Sequence, residues 1–297
     1  MDLQDYPLSS DEDVQIIMHR EVHFGGNFEI MIDYYEQGGK GICQEFEISH
    51  LQALHRMELE LEENLAAVML SGAEAERVAK AKEAYKELRD LYENPEMKNT
   101  YALLIADLIL SEELEPEEEI NTLIERQTVS VPALIDLVRS EDFYDPLYPG
   151  YGLAPELAAK CLGKIGDKRA ITSLFELIHE GDFFGEEVAI NALKMIGEPA
   201  KEFLLRILQN LPFDHDNERA AVALIQFKDD PKVAESCLLL LQKPEVRQNL
   251  ALSGYLVLVC EGLQDPSSQE KFLKLADDPT TPNELRLDIQ TIAKEFK

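Results

Sequence analysis

LAAKCLGKIGDKRAITSLFELI, residues 157–178, and VAINALKMIGEPAKEFLLRIL, residues 188–208, decide the fold of this chain. Laid over each other at a displacement of 31 residues they align, and the register runs on through two further copies. Ala158, Ala189, Ala220 and Ala251 form one column, and Leu162, Leu193, Leu224 and Tyr255 a second. Cys161, Ala192, Ala223 and Gly254 are a column of small residues; Ile165, Ile196, Phe227 and Leu258 are apolar. Within each copy these positions fall at i, i+3, i+4 and i+7, one face of an α-helix. One helix pair cannot bury that face alone but stacked copies can, so the spacing predicts an all-α solenoid of antiparallel helix pairs. The alanine and small columns let neighbouring helices approach, and the larger columns fill the space between them.

Around the columns, proline, glycine and acidic residues cut the second half into short amphipathic helices. The first is VPALIDLV at 131–138. Then come APELAAKCLGKIG ending at Gly166, ITSLFELI from 171, EEVAINALKMIG ending at Gly197 and AKEFLLRILQN to Asn210. NERAAVALIQF, PKVAESCLLLLQ, EVRQNLALSGYLVLV, SSQEKFLKLA and PNELRLDIQTIAKEF complete the series. The columns all fall on the second helix of each pair.

These segments resemble the short HEAT-like repeats first recognised in phycobilisome bilin lyases, whose pattern reads A-x-A-L-G-x-I-G-D-P-R-A-V-P-A-L. The resemblance covers residues 154–208 best and extends to about 262. It departs from the pattern at Lys228, where a glycine is expected, and at Gly254 and Tyr255. It implies a HEAT-like solenoid over 131–297 and permits a lyase-type or chromophore-handling activity. HEAT-like relatives that handle DNA make nucleic-acid binding a further alternative. Because such repeats serve many unrelated functions, the resemblance speaks for fold more than for activity.

Residues 1–130 are helical in pattern without that period, and read as degenerate repeats or a helical cap. A long helix over 51–70, with Ser49 as its cap, and a second over 73–92 form an expected antiparallel hairpin. Pro95 and Pro116 open the next two helices. Between Val22 and Glu47 one helix is expected, from Phe28 to Gln37.

The formal charge is −30, and residues 1–130 hold 30 acidic and 10 basic residues against 28 and 18 in the remainder. That sign repels phosphate backbones and anionic lipid, so neither nucleic acid nor a membrane surface is an expected partner. The densest basic stretch, Lys80, Lys82, Lys86 and Arg89, is interleaved with Glu76, Glu83 and Glu87 and reads as a salt-laced exposed helix face. MDLQDYPLSSDEDVQ has no apolar core and is not a secretory signal, and no apolar run is long enough to span a bilayer. Cys161, Cys237 and Cys260 lie in apolar helical patterns and Cys43 stands alone. The expectation is reduced thiols in a cytoplasmic setting.

Three loops that join paired helices carry the candidate binding residues. SEDFYDPLYPGYGL, HEGDFFGE and NLPFDHDNE bring Phe143, Tyr144, Tyr148, Tyr151, Phe183, Phe184 and Phe213 to one expected edge. Rings in loops either pack back over helix ends or wait for a partner. As a partner site, with Glu141, Asp142, Asp145, Asp182, Glu186, Asp214 and Asp216 around it, this edge suits a basic, partly apolar peptide or protein.

His19 and His23 in HREVH stand at i, i+4, the spacing that lets two imidazoles share a metal, but they lack zincin order and a third ligand. His50 and His55 read as helix-interface side chains. Asp214, His215 and Asp216 read as a helix-capping loop, with Asn217 or Asp216 as the cap. The acidic runs at 58–63 and 112–119 match no calcium loop, and GGKG at 38–41 lacks the flanking residues of a phosphate loop. The chain therefore reads as a non-catalytic, cofactor-free scaffold for a protein or peptide partner.

Overall fold

The computed structural model describes residues 10–39, 46–94, 100–111, 113–126, 129–178 and 183–296, with the side chains of all but 183–185. The described residues are helices and their connections, with no strand, so the all-α expectation holds. None of these helices is long and apolar enough to cross a membrane. By packing, the chain forms two compact units, Met1–Ala158 and Ala159–Lys297.

The first unit holds α1 (Asp11–His23), α2 (Phe28–Glu36), α3 (Ile48–Leu61), α4 (Leu65–Met69) and α5 (Gly72–Glu93), then α6 (Tyr101–Ile109), α7 (Glu117–Glu125) and α8 (Val131–Val138). Reciprocal capping boxes start α1, from Ser10 and Asp13, and α5, from Ser71 and Glu74. Each satisfies two amides that a helix start leaves without partners. α2 falls where expected. Thr100 caps α6, and Pro116 stands just ahead of α7 rather than inside its first turn.

The expected hairpin over 51–92 does not form. Its first arm breaks after Leu61, where Glu62 turns left-handed at φ 56°, and Asn64 caps the separate α4. Ser49 is not the cap of that arm: α3 starts at Ile48 behind Glu47, without a side-chain cap. α3 pairs with α2, and α5 with α1 and α6. The cause is Arg20, fully buried on α1, which donates to Glu58 at 2.6 Å, Glu21 at 2.8 Å and Asn64 at 2.8 Å and lies 4.4 Å above the Phe28 ring. A buried guanidinium needs partners for its donors, and Glu58 and Asn64, which take its two terminal amino groups, sit on either side of the break. Ile16, Ile17, Phe28, Met31, Leu51, Leu54 and Leu65 close the core around it.

α9 (Ala154–Ile165) begins in the first unit and ends in the second, which continues with α10 (Ile171–Leu177), α11 (Phe183–Ile196), α12 (Glu198–Leu208) and α13 (His215–Leu224). Then follow α14 (Pro231–Leu241), α15 (Pro244–Gln248), α16 (Leu250–Val259), α17 (Pro266–Lys274) and α18 (Asn283–Ile292). Neighbours pack as pairs, α10 with α11 and α12 with α13, and the second helices pack in sequence, α13 on α16 and α16 on α18. Gly166 and Gly197 end α9 and α11 at φ 73° and 79°, the left-handed conformation that glycine adopts without strain.

The alanine, small-residue and leucine columns are core in three copies and not in the fourth, while Ile165 and Phe227 of the last column are half-buried. Ala189, Ala192, Leu193 and Ile196 are buried, as are Ala220, Ala223 and Leu224. Ala251 is exposed, Gly254 and Tyr255 are half-buried and Leu258 is 43% exposed. Instead Leu252, Leu256 and Val259 are buried, each one residue further along than its column, with Ser253 buried beside Leu252. The expected helix over 245–259 is in fact two, because Asn249 interrupts it and caps α16 by accepting from the Leu252 amide. Behind that interruption the buried face of α16 lies one residue out of phase with the 31-residue columns, a rotation of about 100°, the turn per residue of an α-helix.

Candidate functional site

The loop 141–153 lies against α5, and its rings do different things. Tyr148 is buried with Met18, Val78, Ala81 and Leu147. Burial and the nearby Asp142 raise its phenol pKa. Tyr144 donates its hydroxyl to the Val138 carbonyl at 3.0 Å, returning the loop to the end of α8. Phe143 meets Tyr148 edge-on at 6.1 Å and stays half-buried. Tyr151 adopts φ 54°, uncommon for a residue with a side chain, and its ring lies 4.8 Å from that of His23. Asp145 pins the loop, accepting from Arg77 at 2.6 Å and from the Leu147 amide at 3.0 Å.

Between this loop and α5 runs a groove of about 510 Å³. Ala84, Leu88 and Leu91, at i, i+4 and i+7 on α5, join Phe143 and Tyr148 as its apolar lining, and Lys80, Glu83, Glu87 and Asp142 supply the charged part. Lys80 is held by Glu76 at 3.1 Å and Glu83 holds Lys86 at 3.0 Å. Glu87 and Asp142 are both exposed. The sequence reading of α5 as a salt-laced face is right for these ion pairs and misses the apolar stripe between them. The missed signal was the spacing of Ala84, Leu88 and Leu91.

The remaining predicted ring positions lie in the second unit. Phe213 is half-buried with the Lys243 ammonium 5.7 Å from its ring, and the side chains of Phe183 and Phe184 lie outside the described residues. In the same loop the cap of α13 is Asp214, which accepts from the Asp216 amide. Asn217 is not the cap but its partner in the box; it is buried and its amide donates to the carbonyls of Ile207, Leu208 and Asn210. His215 is exposed.

His19 and His23 do stand side by side, with ring centroids 4.6 Å apart. His19 packs edge-on against Phe46 at 5.3 Å, and the Tyr85 hydroxyl lies 3.2 Å from Nδ1 of His23. Both Nε2 atoms are buried without a hydrogen-bond partner among the described residues. Burial lowers the pKa of His19 to about 4; burial, with His19 beside it, lowers that of His23 to about 3. No group of three or more His, Cys, Asp or Glu able to hold a metal occurs among the described residues. The pair is a neutral, aromatic part of the interior.

His50 binds Asp13 at 2.6 Å, while His55 packs on Phe28, so each serves its own helix contact. Cys161, Cys237 and Cys260 are free and buried, and burial raises all three thiols, Cys161 to about 12. Cys43 lies outside the described residues. Comparison with protein-family models and with curated proteins finds no match to this chain.

Proposed function

We propose that this chain is a protein-interaction scaffold built on HEAT-like helix pairs, and that the groove along α5 seats a basic, partly apolar peptide segment of its partner. The observation that carries the reading is the combination of an apolar floor from Leu88, Leu91, Phe143 and Tyr148 with the exposed carboxylates of Glu87 and Asp142 at its edge. An aromatic and aliphatic floor supplies the desolvated contact area that dominates peptide affinity, and the carboxylates select Lys or Arg flanks. The net charge of −30 adds long-range attraction for such a partner. On this reading Phe143 faces the partner over the buried Tyr148, while Tyr144 and Tyr151 shape the loop. The buried, high-pKa thiols support a cytoplasmic setting.

Selection from a random-peptide display library tests this. Peptides should be enriched on the full chain and depleted on a Glu87→Lys, Leu88→Asp variant. Enriched sequences should combine Lys or Arg with an aromatic or branched apolar residue. Sequences without basic residues, or equal recovery on both proteins, would defeat the proposal.

A further inference from the structure

The outward face of α16 forms a second seat, independent of the α5 groove. Ala251, Gly254, Tyr255 and Leu258 follow i, i+3, i+4 and i+7, the spacing of a core face, yet Ala251 and Leu258 are exposed together with Leu250, 44% exposed, and Gly254 and Tyr255 are only half-buried. With Ile292 of α18 they line an open groove of 450 Å³, in which Asp288 is the one charged lining residue. The corresponding positions of α13, 32 residues earlier, are Arg219, Val222, Ala223 and Gln226, so two positions that are polar there, Arg219 and Gln226, are apolar here as Ala251 and Leu258. Gly254 has no heavy atom within 4 Å of where a Cβ would stand.

We infer that this groove binds an amphipathic α-helix of a partner protein, whose apolar seam lies over Ala251 and Gly254 and whose flanking Lys or Arg pairs with Asp288. Two packed helices present a groove that accepts the side-chain ridge of a third, and small residues on the floor let its backbone come close. The charge decides the flank: the groove edge carries a carboxylate and no base, and residues 131–297 hold 28 acidic against 18 basic residues. An acidic helix is repelled there, and an uncharged one leaves Asp288 without a counterion.

Gly254→Leu is the discriminating variant, since its Cβ meets no heavy atom within 4 Å and its side chain is added on the groove side of α16. The probe is a helical peptide of Leu, Ala and Lys, about five turns long, with one Trp on its apolar face. The protein contains no Trp, so the emission reports the peptide alone. Titrations use the full chain carrying Glu87→Lys and Leu88→Asp, which removes the α5 seat from the measurement. The expected result is a saturable blue shift, with Kd raised about tenfold by Gly254→Leu and by Asp288→Lys, the loss typical of a central contact. A matching peptide with Glu in place of Lys should not bind. The inference is overturned if Gly254→Leu leaves Kd unchanged, if the Glu peptide binds equally well, or if sedimentation shows a dimer of the chain that Gly254→Leu dissolves.

Discussion

Gly262 lies against the backbone of Lys228 so closely that a Cβ on Gly262 would stand 1.7 Å from the Lys228 carbonyl oxygen. Lys228 occupies the position that Gly166 and Gly197 hold in the two preceding copies. Unlike them it stays right-handed, at φ −58°, at the end of a 3₁₀ turn over Ile225–Phe227. The space is then supplied from across the contact, by a glycine at the end of the 3₁₀ turn Cys260–Gly262. Gly262→Ala should therefore destabilise the chain by about 3 kcal/mol, the upper part of the usual range for overpacking. Urea unfolding checks this, and an unchanged midpoint would show that the two backbones part easily.

The one-residue rotation of α16 makes a prediction that the bare repeat does not. Leu193 and Leu256 are fully buried, so truncating either to Ala should cost about 2 to 5 kcal/mol. Leu258, in the same sequence column as Ile196, should cost less than about 1 kcal/mol because it is already exposed to water. Equal losses at Leu256 and Leu258 would restore the unbroken 31-residue register and remove the rotation.

His19 ties stability to pH. Its pKa falls from 6.5 unfolded to about 4 folded, chiefly through burial, so the unfolded chain binds more protons between those values. The contribution is present above pH 6.5 and is lost as pH falls towards 4. Replacing His19 by Leu should shrink the loss of stability between pH 7 and pH 4.5 by about 2 kcal/mol, at 1.36 kcal/mol per pKa unit. The comparison with wild type cancels the carboxylates common to both, and identical pH profiles would show that His19 is hydrated in the folded state.

Asp145 should matter more than its ion-pair partner. Arg77 is half-exposed, and its bridge to Asp145 is worth a few tenths of a kcal/mol in water. Asp145 also accepts from the Leu147 amide at 3.0 Å, within the turn that places Tyr148. Asp145→Ala is expected to cost about 1 kcal/mol and to weaken peptide capture at the α5 groove, with Arg77→Ala near neutral in stability. Equal costs for both would locate the whole effect in the ion pair.

Much of the helix inventory was legible because capping and amphipathic spacing are local. Gly166 and Gly197 mark their helix ends within a turn of themselves, and the boxes of Ser10 with Asp13 and Ser71 with Glu74, which the sequence reading did not single out, are as local. The hairpin expected over 51–92 failed because a buried arginine on a distant helix decides where α3 stops, and no window of sequence contains both. The candidate site was half legible. Aromatic residues in the loop 141–153 were evident, but which of them pack inward depends on Val78, Ala81 and Met18, brought there by α1 and α5.

By itself, the sequence determined that the chain is helical, where the 31-residue faces lie and that the surface is acidic, since each of these follows from neighbours along the chain and from summed charge. Tertiary structure alone decided which way a repeated face turns. The helix break at Asn249 leaves the pattern of letters intact, while the burial of the helix behind it falls one residue out of phase with that pattern. Burial depends on that rotation and not on the letters, so Ala189 and Leu193 became core while Ala251 and Leu258 became surface.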